Sequence, residues 1–455
     1  MDQLARKLAQ YALGAIDADF PRLARARAVD AITDCVACML AGSREPLAKM
    51  VLNVASPAPT EAARGLLLGT TRYSTPADSA LYNGAIAHAL DYDDTNHPGI
   101  AHPSAPLVSA MLAVAPMARS RGRDLVSAYI LGLEVIGKLG RALNTAHYKQ
   151  GWHATATFGT LAAAVAAGRL LRLTEQEMVM AIGIAASAAG GLRANFGTMV
   201  KPLHAGYAAR NGVLAVLLAR EGLTANEAAL EHRYGYCNVF NHGIGYDPEP
   251  LAAWGKPLEI LTEFSLALKP FPSCGATHTG IEAALLLREE IGGAPIRSVR
   301  AGVSEMAFEP LIYVMPNSGL EGKFSLHYCI AAALTDGVVN FATFSDEKAA
   351  DPTIRALIPK IKMEADDRVR HDPEYATVVT VETESSGRHE RLVPLAIGKP
   401  ARWFSRQQLR DKFFDCGTRA CAPEPLERIF GVLQSIDGDT QVDNLLSTLR
   451  GAFQE

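Results

Sequence analysis

From the N-terminal segment to about position 260 one pattern repeats: apolar residues fall at i, i+3, i+4 and i+7, and short polar or Gly- and Pro-containing breaks separate the runs. Such a period puts one apolar stripe on each of a series of helices, so the stretch predicts a stack of amphipathic helices. Two breaks share a signature. LLRLTEQE and LAREGLTANE each close an apolar run and restart with Thr-x-x-Glu, Thr174 with Glu177 and Thr224 with Glu227, the spacing at which hydroxyl and carboxylate cap each other's backbone N–H groups. Small residues are concentrated at 162–167, at 185–191, and at Ala205, Gly206, Ala208, Ala209 and Gly212, which predicts helices whose backbones approach closely.

Beyond about residue 265 the period changes. Runs of β-branched residues over 296–303 and 375–381 predict strands, with a turn at Ser385, Ser386 and Gly387 before a further strand near Leu392. Helices are expected over 279–290 and 324–340. From Ser405 the helical pattern returns, with Ser405 and Gln408 at capping-box spacing and Pro423 and Pro425 opening another amphipathic run. The expected fold is mostly α with an α+β part: a helical domain from residues 1–264 and 405–455, and a smaller α/β domain, 265–404, inserted near its C-terminal end.

Composition narrows the class. The 455 residues are 49% hydrophobic and 20% charged, the balance of a globular chain with a large core. With 44 basic against 48 acidic side chains the net charge is −4, which leaves no overall field to draw in phosphate backbones or anionic lipid. Nucleic acid and membrane are not expected partners. The longest uncharged stretches, 95–118 and 150–168, carry His, Pro, Asn or many Ala and Gly residues and fall short of a spanning helix. Seven scattered cysteines form no disulfide framework, and the first twenty residues lack the apolar core of a signal peptide, so a cytoplasmic location is expected. Cys35 and Cys38 form a lone CxxC inside an apolar helix and read as two small buried residues.

The densest polar cluster is ALDYDDTNHPGIAHPSAP, with Asp91, Asp93, Asp94, Thr95, His97 and His102. Pro98 and Gly99 end the preceding helix, and the 103–106 stretch opens the next with Ser104 as its expected N-cap. The acidic spacing misses Asp-Asp-x-x-Asp, and the two histidines are not an i, i+4 pair, so no metal is predicted. The aspartates serve either as helix caps and loop braces or in catalysis. His153 stands at the start of a small-residue helix. Lys201 precedes a helix expected to begin at Pro202, where a cation faces the positive end of the helix dipole; that placement favours an anion-binding or proton-transfer role over stability. In the α/β part, KPFPSCGATHTG carries Lys269, Cys274 and His278, and NSGLEGKFSLHYC carries Lys323, Ser325, His327 and Tyr328 behind a Gly-rich turn suited to an anion. A covalent role for Cys274 is not favoured, since a four-residue Cys–His spacing says little about geometry.

Taken in order, HALDYDDTNHPGIAHPSAP, KPLHAGYAARNG, KPFPSCGATHTGIEA and GLEGKFSLHYCIAAAL resemble the MmgE/PrpD family, which includes 2-methylcitrate dehydratase, cis-aconitate decarboxylase and iminodisuccinate epimerase. The resemblance spans nearly the whole chain. It implies a helical domain with an inserted α/β lid, a homodimer, and a cofactor- and metal-free site between the two domains. It also implies site residues: Asp91, Thr95, His102, His153, Lys201, His278 and Tyr328; Lys323, from the Gly-rich turn suited to an anion, is added to them as a substrate-binding candidate. The KPFPSCGATH loop departs from the decarboxylase and dehydratase patterns, which touches the choice of substrate. The expected activity is a cofactor-independent lyase acting beside an acidic C–H of a small polycarboxylate, foremost a 2-methylcitrate dehydratase type. The alternatives are a decarboxylase, an epimerase of an amino- or imino-dicarboxylate, and a helical scaffold without catalysis. In this scheme His102, Lys201 and Thr95 hold carboxylates, His153 or His278 moves the proton, Tyr328 donates from the lid, and Asp91 orients His102.

Overall fold

The computed structural model describes residues 3–55, 65–385 and 387–453. These form two compact units: Met1–Leu268 with Phe404–Glu455, and Lys269–Trp403.

The first unit is built around Ala154–Leu170, a helix of Ala, Gly, Thr and a few larger apolar residues that is buried at every position except Arg169. Helices Ser104–Ala118, Gly122–Leu143, Glu175–Ala188 and Val200–Arg220 surround it. So enclosed a helix has no polar face to show, and its small side chains let neighbours come close. The same device joins Pro76–His88 to Val200–Arg220: a Cβ on Gly206 would lie 2.3 Å from the Leu81 carbonyl oxygen, and one on Gly84 would lie 2.8 Å from the Gly206 Cα. Two short antiparallel pairs complete the unit, β1 (Gly65–Leu66) with β2 (Tyr73–Ser74) and β3 (Thr95–Asn96) with β4 (Leu266–Ala267). The second pair fastens the Asp- and His-rich loop to the last residues before the chain leaves the unit.

In the second unit, strands β5 (Ile296–Val303), β6 (Ile361–Ala365), β7 (Thr377–Thr383) and β8 (Arg388–Val393) form a sheet of order β6-β5-β7-β8. β5 runs parallel to β6, and both the β5–β7 and β7–β8 pairs are antiparallel. Helices His278–Ile291 and Leu326–Asp336 cover it around a core that includes Ile281, Leu287, Ile330, Val379 and Val381. The chain then returns to the first unit. Helices Arg406–Gly417 and Pro423–Gln434 both pack on Arg22–Gly42, and Val442–Gly451 packs on Pro423–Gln434. Among the described residues no helix is long and apolar enough to cross a membrane.

Several local expectations need correction. Thr174 and Glu177 form the predicted capping box, as do Ser405 and Gln408. The second Thr-x-x-Glu does not open a helix: the Glu227 carboxylate instead accepts from Arg6 Nη2 at 2.9 Å and Gln176 Nε2 at 3.0 Å, a competing use of the same carboxylate. Ser104 is the first residue of its helix, not its N-cap, and its N–H donates to Asp94 Oδ1 at 3.1 Å. Helix Val200–Arg220 begins two residues before Pro202. The helix expected to reach residue 340 stops at Asp336, because Gly337 adopts φ 74° and Asn340 caps the following short turn. Strand β6 carried too weak an alternation to be foreseen. Of the turn expected at 385–387, Ser386 lies outside the described residues.

Candidate active site

In the first unit, four elements bring their polar residues together: the C-terminal end of Pro76–His88, the loop after it, the start of Ala154–Leu170 and the start of Val200–Arg220. Asp91 sits in the left-handed region at φ 55°, a conformation Asp tolerates better than most residues, and its N–H donates to the His88 carbonyl at 3.3 Å. Lys201 Nζ donates to Asp91 Oδ1 at 2.8 Å and lies 5.6 Å from the Phe196 ring centre. Buried His88 places Nδ1 2.9 Å from both oxygens of buried Asp93. The His102 ring stands between the two carboxylates, with Nε2 3.6 Å from Asp91 and Nδ1 3.5 Å from Asp93, and lies 4.4 Å from the His88 ring centre. The His102 backbone N–H donates to Thr155 Oγ1 at 2.9 Å, which ties this loop to the central helix.

His153 is the N-cap residue of Ala154–Leu170, where a His offers no side-chain cap. Its ring lies 5.9 Å from His88 and edge-on to Phe196 at 4.9 Å, and its Nδ1 is 3.0 Å from His204 Nδ1. Burial, and then the charges that His88, Lys201 and His204 carry or can carry, hold His153 well below the ordinary histidine range. His204 is lowered by burial and then by Lys201. Both rings are therefore neutral near pH 7 and able to take a proton. One donor atom each from His88, Asp91, Asp93 and His102 falls within 4.8 Å of the others, the composition of a cation site, and one of the four, Asp91, pairs with the Lys201 ammonium.

The remaining loop aspartate plays another part. Asp94 is fully buried, accepts from Ser104 N–H and Oγ, and is pushed up to about 8 chiefly by burial. It braces the helix start. Thr95 is half-buried in β3. Helix Arg406–Gly417 contributes a residue that no motif announced: buried Lys412 pairs with buried Asp34 at 2.7 Å and donates to the Tyr92 carbonyl at 2.8 Å, between Asp91 and Asp93. His88, His204, Lys412 and Asp34 were all missed from sequence. His88, His204 and Asp34 each lie within three residues of a residue already singled out, Asp34 directly before Cys35; Lys412 has no such neighbour.

The second unit holds the other expected residues. His278 opens helix His278–Ile291, with Nε2 3.2 Å from the Ser273 carbonyl oxygen and the ring edge-on to Phe271. Cys274 N–H donates to the Lys323 carbonyl at 3.0 Å, joining the two motif loops. Lys269, His278 and Lys323 are all buried. Tyr328 is fully buried and its hydroxyl donates to the Thr343 carbonyl, so its proton is directed at main chain within the unit. An open cavity of about 760 Å³ in this unit, lined by Arg288, Gly292, Leu334 and Lys360 among others, contains none of these residues; the chemistry lies with the clustered side chains, not with this groove.

A helical framework that encloses imidazoles, carboxylates and an ammonium in mutual contact defines a protein organised around buried acid–base chemistry. Comparison with known proteins makes the assignment specific. Residues 6–249 match the MmgE/PrpD N-terminal domain and residues 271–436 the MmgE/PrpD C-terminal domain, and the chain belongs to this family. It is 29% identical to cis-aconitate decarboxylase of Mus musculus, over 83% of this chain and 79% of the relative. It is 28% identical to cis-aconitate decarboxylase of Aspergillus terreus, over 95% and 92%. It is 26% identical to 2-methylcitrate dehydratase of Salmonella typhimurium, over 82% and 81%. The relatives are enzymes, and the chain is an enzyme of their family.

Proposed function

We propose that the protein is a cofactor-independent lyase that moves a proton at a carbon beside a carboxylate of a small tricarboxylate. The observation that carries this reading is the buried cluster in which Lys201 contacts Asp91 while His153 is held neutral beside it. Breaking a bond next to a carboxylate builds negative charge on that carboxylate, so the site must offer it cations and donors and must offer the carbon an acid or base. Lys201 and His102 bind and polarise the carboxylate, Thr95 adds a donor, and His153 exchanges the proton. Asp91 sets the position of Lys201, and Asp93 that of His88. His278 and Tyr328 are assigned to the same reaction on the strength of the family resemblance, and Lys323 as a carboxylate-binding residue because it follows a Gly-rich turn. Tyr328→Phe tests that assignment: lost turnover with unchanged thermal stability marks a donor, whereas lost stability with unchanged turnover marks a brace.

The first reading is decarboxylation of a cis-aconitate-like substrate, supported by decarboxylase relatives at 28% and 29% identity beside the dehydratase at 26%. Dehydration of a 2-methylcitrate-like hydroxy acid is the second, and the same groups serve it. The test is incubation of cis-aconitate, 2-methylcitrate, citrate and iminodisuccinate in D2O, followed by proton NMR. Itaconate signals mark decarboxylation, new olefinic signals dehydration, and exchange without net loss epimerisation. His153→Ala and Lys201→Ala are each expected to slow the productive reaction by about 10²–10⁴-fold with the fold intact. Near-wild-type turnover in both would sink the assignment, as would inertness of the wild type toward all four compounds.

A further inference from the structure

Two imidazoles whose Nδ1 atoms lie 3.0 Å apart cannot both carry a proton there while both are neutral. One ring donates and the other accepts, which forces opposite tautomers on the pair. His204 makes no other hydrogen bond among the described residues, and His153 Nε2 has no partner among them. No third side chain among the described residues therefore sets the tautomers; within that set the two rings set each other's. His153 is faced by His88 from the end of Pro76–His88, by Asp91 from the loop, and by Lys201 and His204 from Val200–Arg220; His204 is faced by His153 and Lys201. An imidazolium at His153 is thus opposed by burial and three potentially cationic neighbours. At His204 the opposition is burial and Lys201.

We propose that His204 is the positioning and proton-relay partner of His153: it accepts the His153 Nδ1–H, leaving Nε2 bare toward the reacting carbon, and takes that proton over when Nε2 is protonated. The inference rests on the assignment of proton transfer to His153. The C–H electron pair stays with the substrate as its carbanion or enediolate, and the proton goes to His153 Nε2. The His153 Nδ1 proton crosses to His204 Nδ1, and His204 releases its Nε2 proton to water. One proton has passed from carbon to solvent, no electrons have changed hands, and the reverse sequence delivers a proton to carbon. The relay keeps the more deeply opposed ring neutral at both ends of the step.

The first arm of the test needs no substrate. In the full-length protein labelled with ¹⁵N-histidine, ring spectra are expected to show a coupling across the Nδ1–H···Nδ1 bond with His153 as the donor. On acidification the pair should take up one proton that leaves His204 charged and flips His153 from the Nδ1–H to the Nε2–H form. A His153 that already carries its proton on Nε2, and does not change as His204 charges, would overturn the proposal. His204→Asn adds a second arm, because its amide oxygen still accepts the His153 Nδ1–H but holds no proton. His153 should keep its tautomer in this variant, and with cis-aconitate kcat should fall by about 10²-fold with KM little changed. Full activity of His204→Asn would also overturn the relay. Failure of the lyase reading shows differently, as a wild type that turns over nothing while the tautomer flip is still seen.

Discussion

At the scale of single residues, the site depends on what surrounds each titratable group more than on its type. His153 stands at a helix N-cap and His97 lies in a loop turn, and it is His153 that is packed against His88, His204 and Lys201. The consequence for pH follows from the sign of the shift. A histidine held below its ordinary 6.5 stays neutral, and so remains a base, at pH values where a free histidine has already charged. If His153 is the base, the acid limb of kcat/KM lies below pH 6.5, and a limb at or above 6.5 would remove His153 from that role. The same shift bears on stability. Below pH 6.5 the unfolded chain takes up a proton that the folded ring refuses, so this residue weakens the fold as pH falls through that window. His102, His153 and Lys201 were legible in sequence because each sits where a helix starts or a loop is dense in charge. His204 was not, since a His one turn into a helix of small apolar residues looks like a packing residue until the partner ring is seen.

At the scale of elements, the cluster exists because two helices touch through glycines. Gly84 and Gly206 let Pro76–His88 and Val200–Arg220 meet backbone to backbone, which brings His88 to the side of the cluster held by Lys201 and His204. Gly206→Ala should cost about 1–3 kcal/mol, because its Cβ meets a carbonyl oxygen that cannot move without shifting the helix. Thermal or urea denaturation measures this, and an unchanged midpoint would show that the contact is looser than described. A second prediction concerns the tail. Lys412→Met leaves Asp34 as a buried charge without its cation and should cost about 3–5 kcal/mol, whereas Lys412→Met with Asp34→Leu should recover much of that loss. Because Lys412 also holds the Tyr92 carbonyl, the double variant should regain stability ahead of activity.

At the scale of the whole molecule, the helical unit carries a self-contained cluster and the α/β unit carries its own joined loops. We propose that the chain works as a homodimer, as the family resemblance implies; light scattering should give twice the 48.6 kDa chain mass, and a value near 48.6 kDa at working concentration would contradict it. The sequence by itself determined the fold class and the return of the tail to helix, and it named most of the residue types proposed for the site. Those rest on periodicity, caps and charge density, which are properties of neighbouring positions. Only the tertiary structure decided which groups meet: that Lys201 lies on Asp91, that His88 answers Asp93, that His153 Nδ1 lies against His204 Nδ1, and that Lys412, some 320 residues away, steadies the acidic loop. The physical reason is that pairing energies depend on distances of a few ångströms and on burial, and packing sets both between segments that periodicity treats as unrelated.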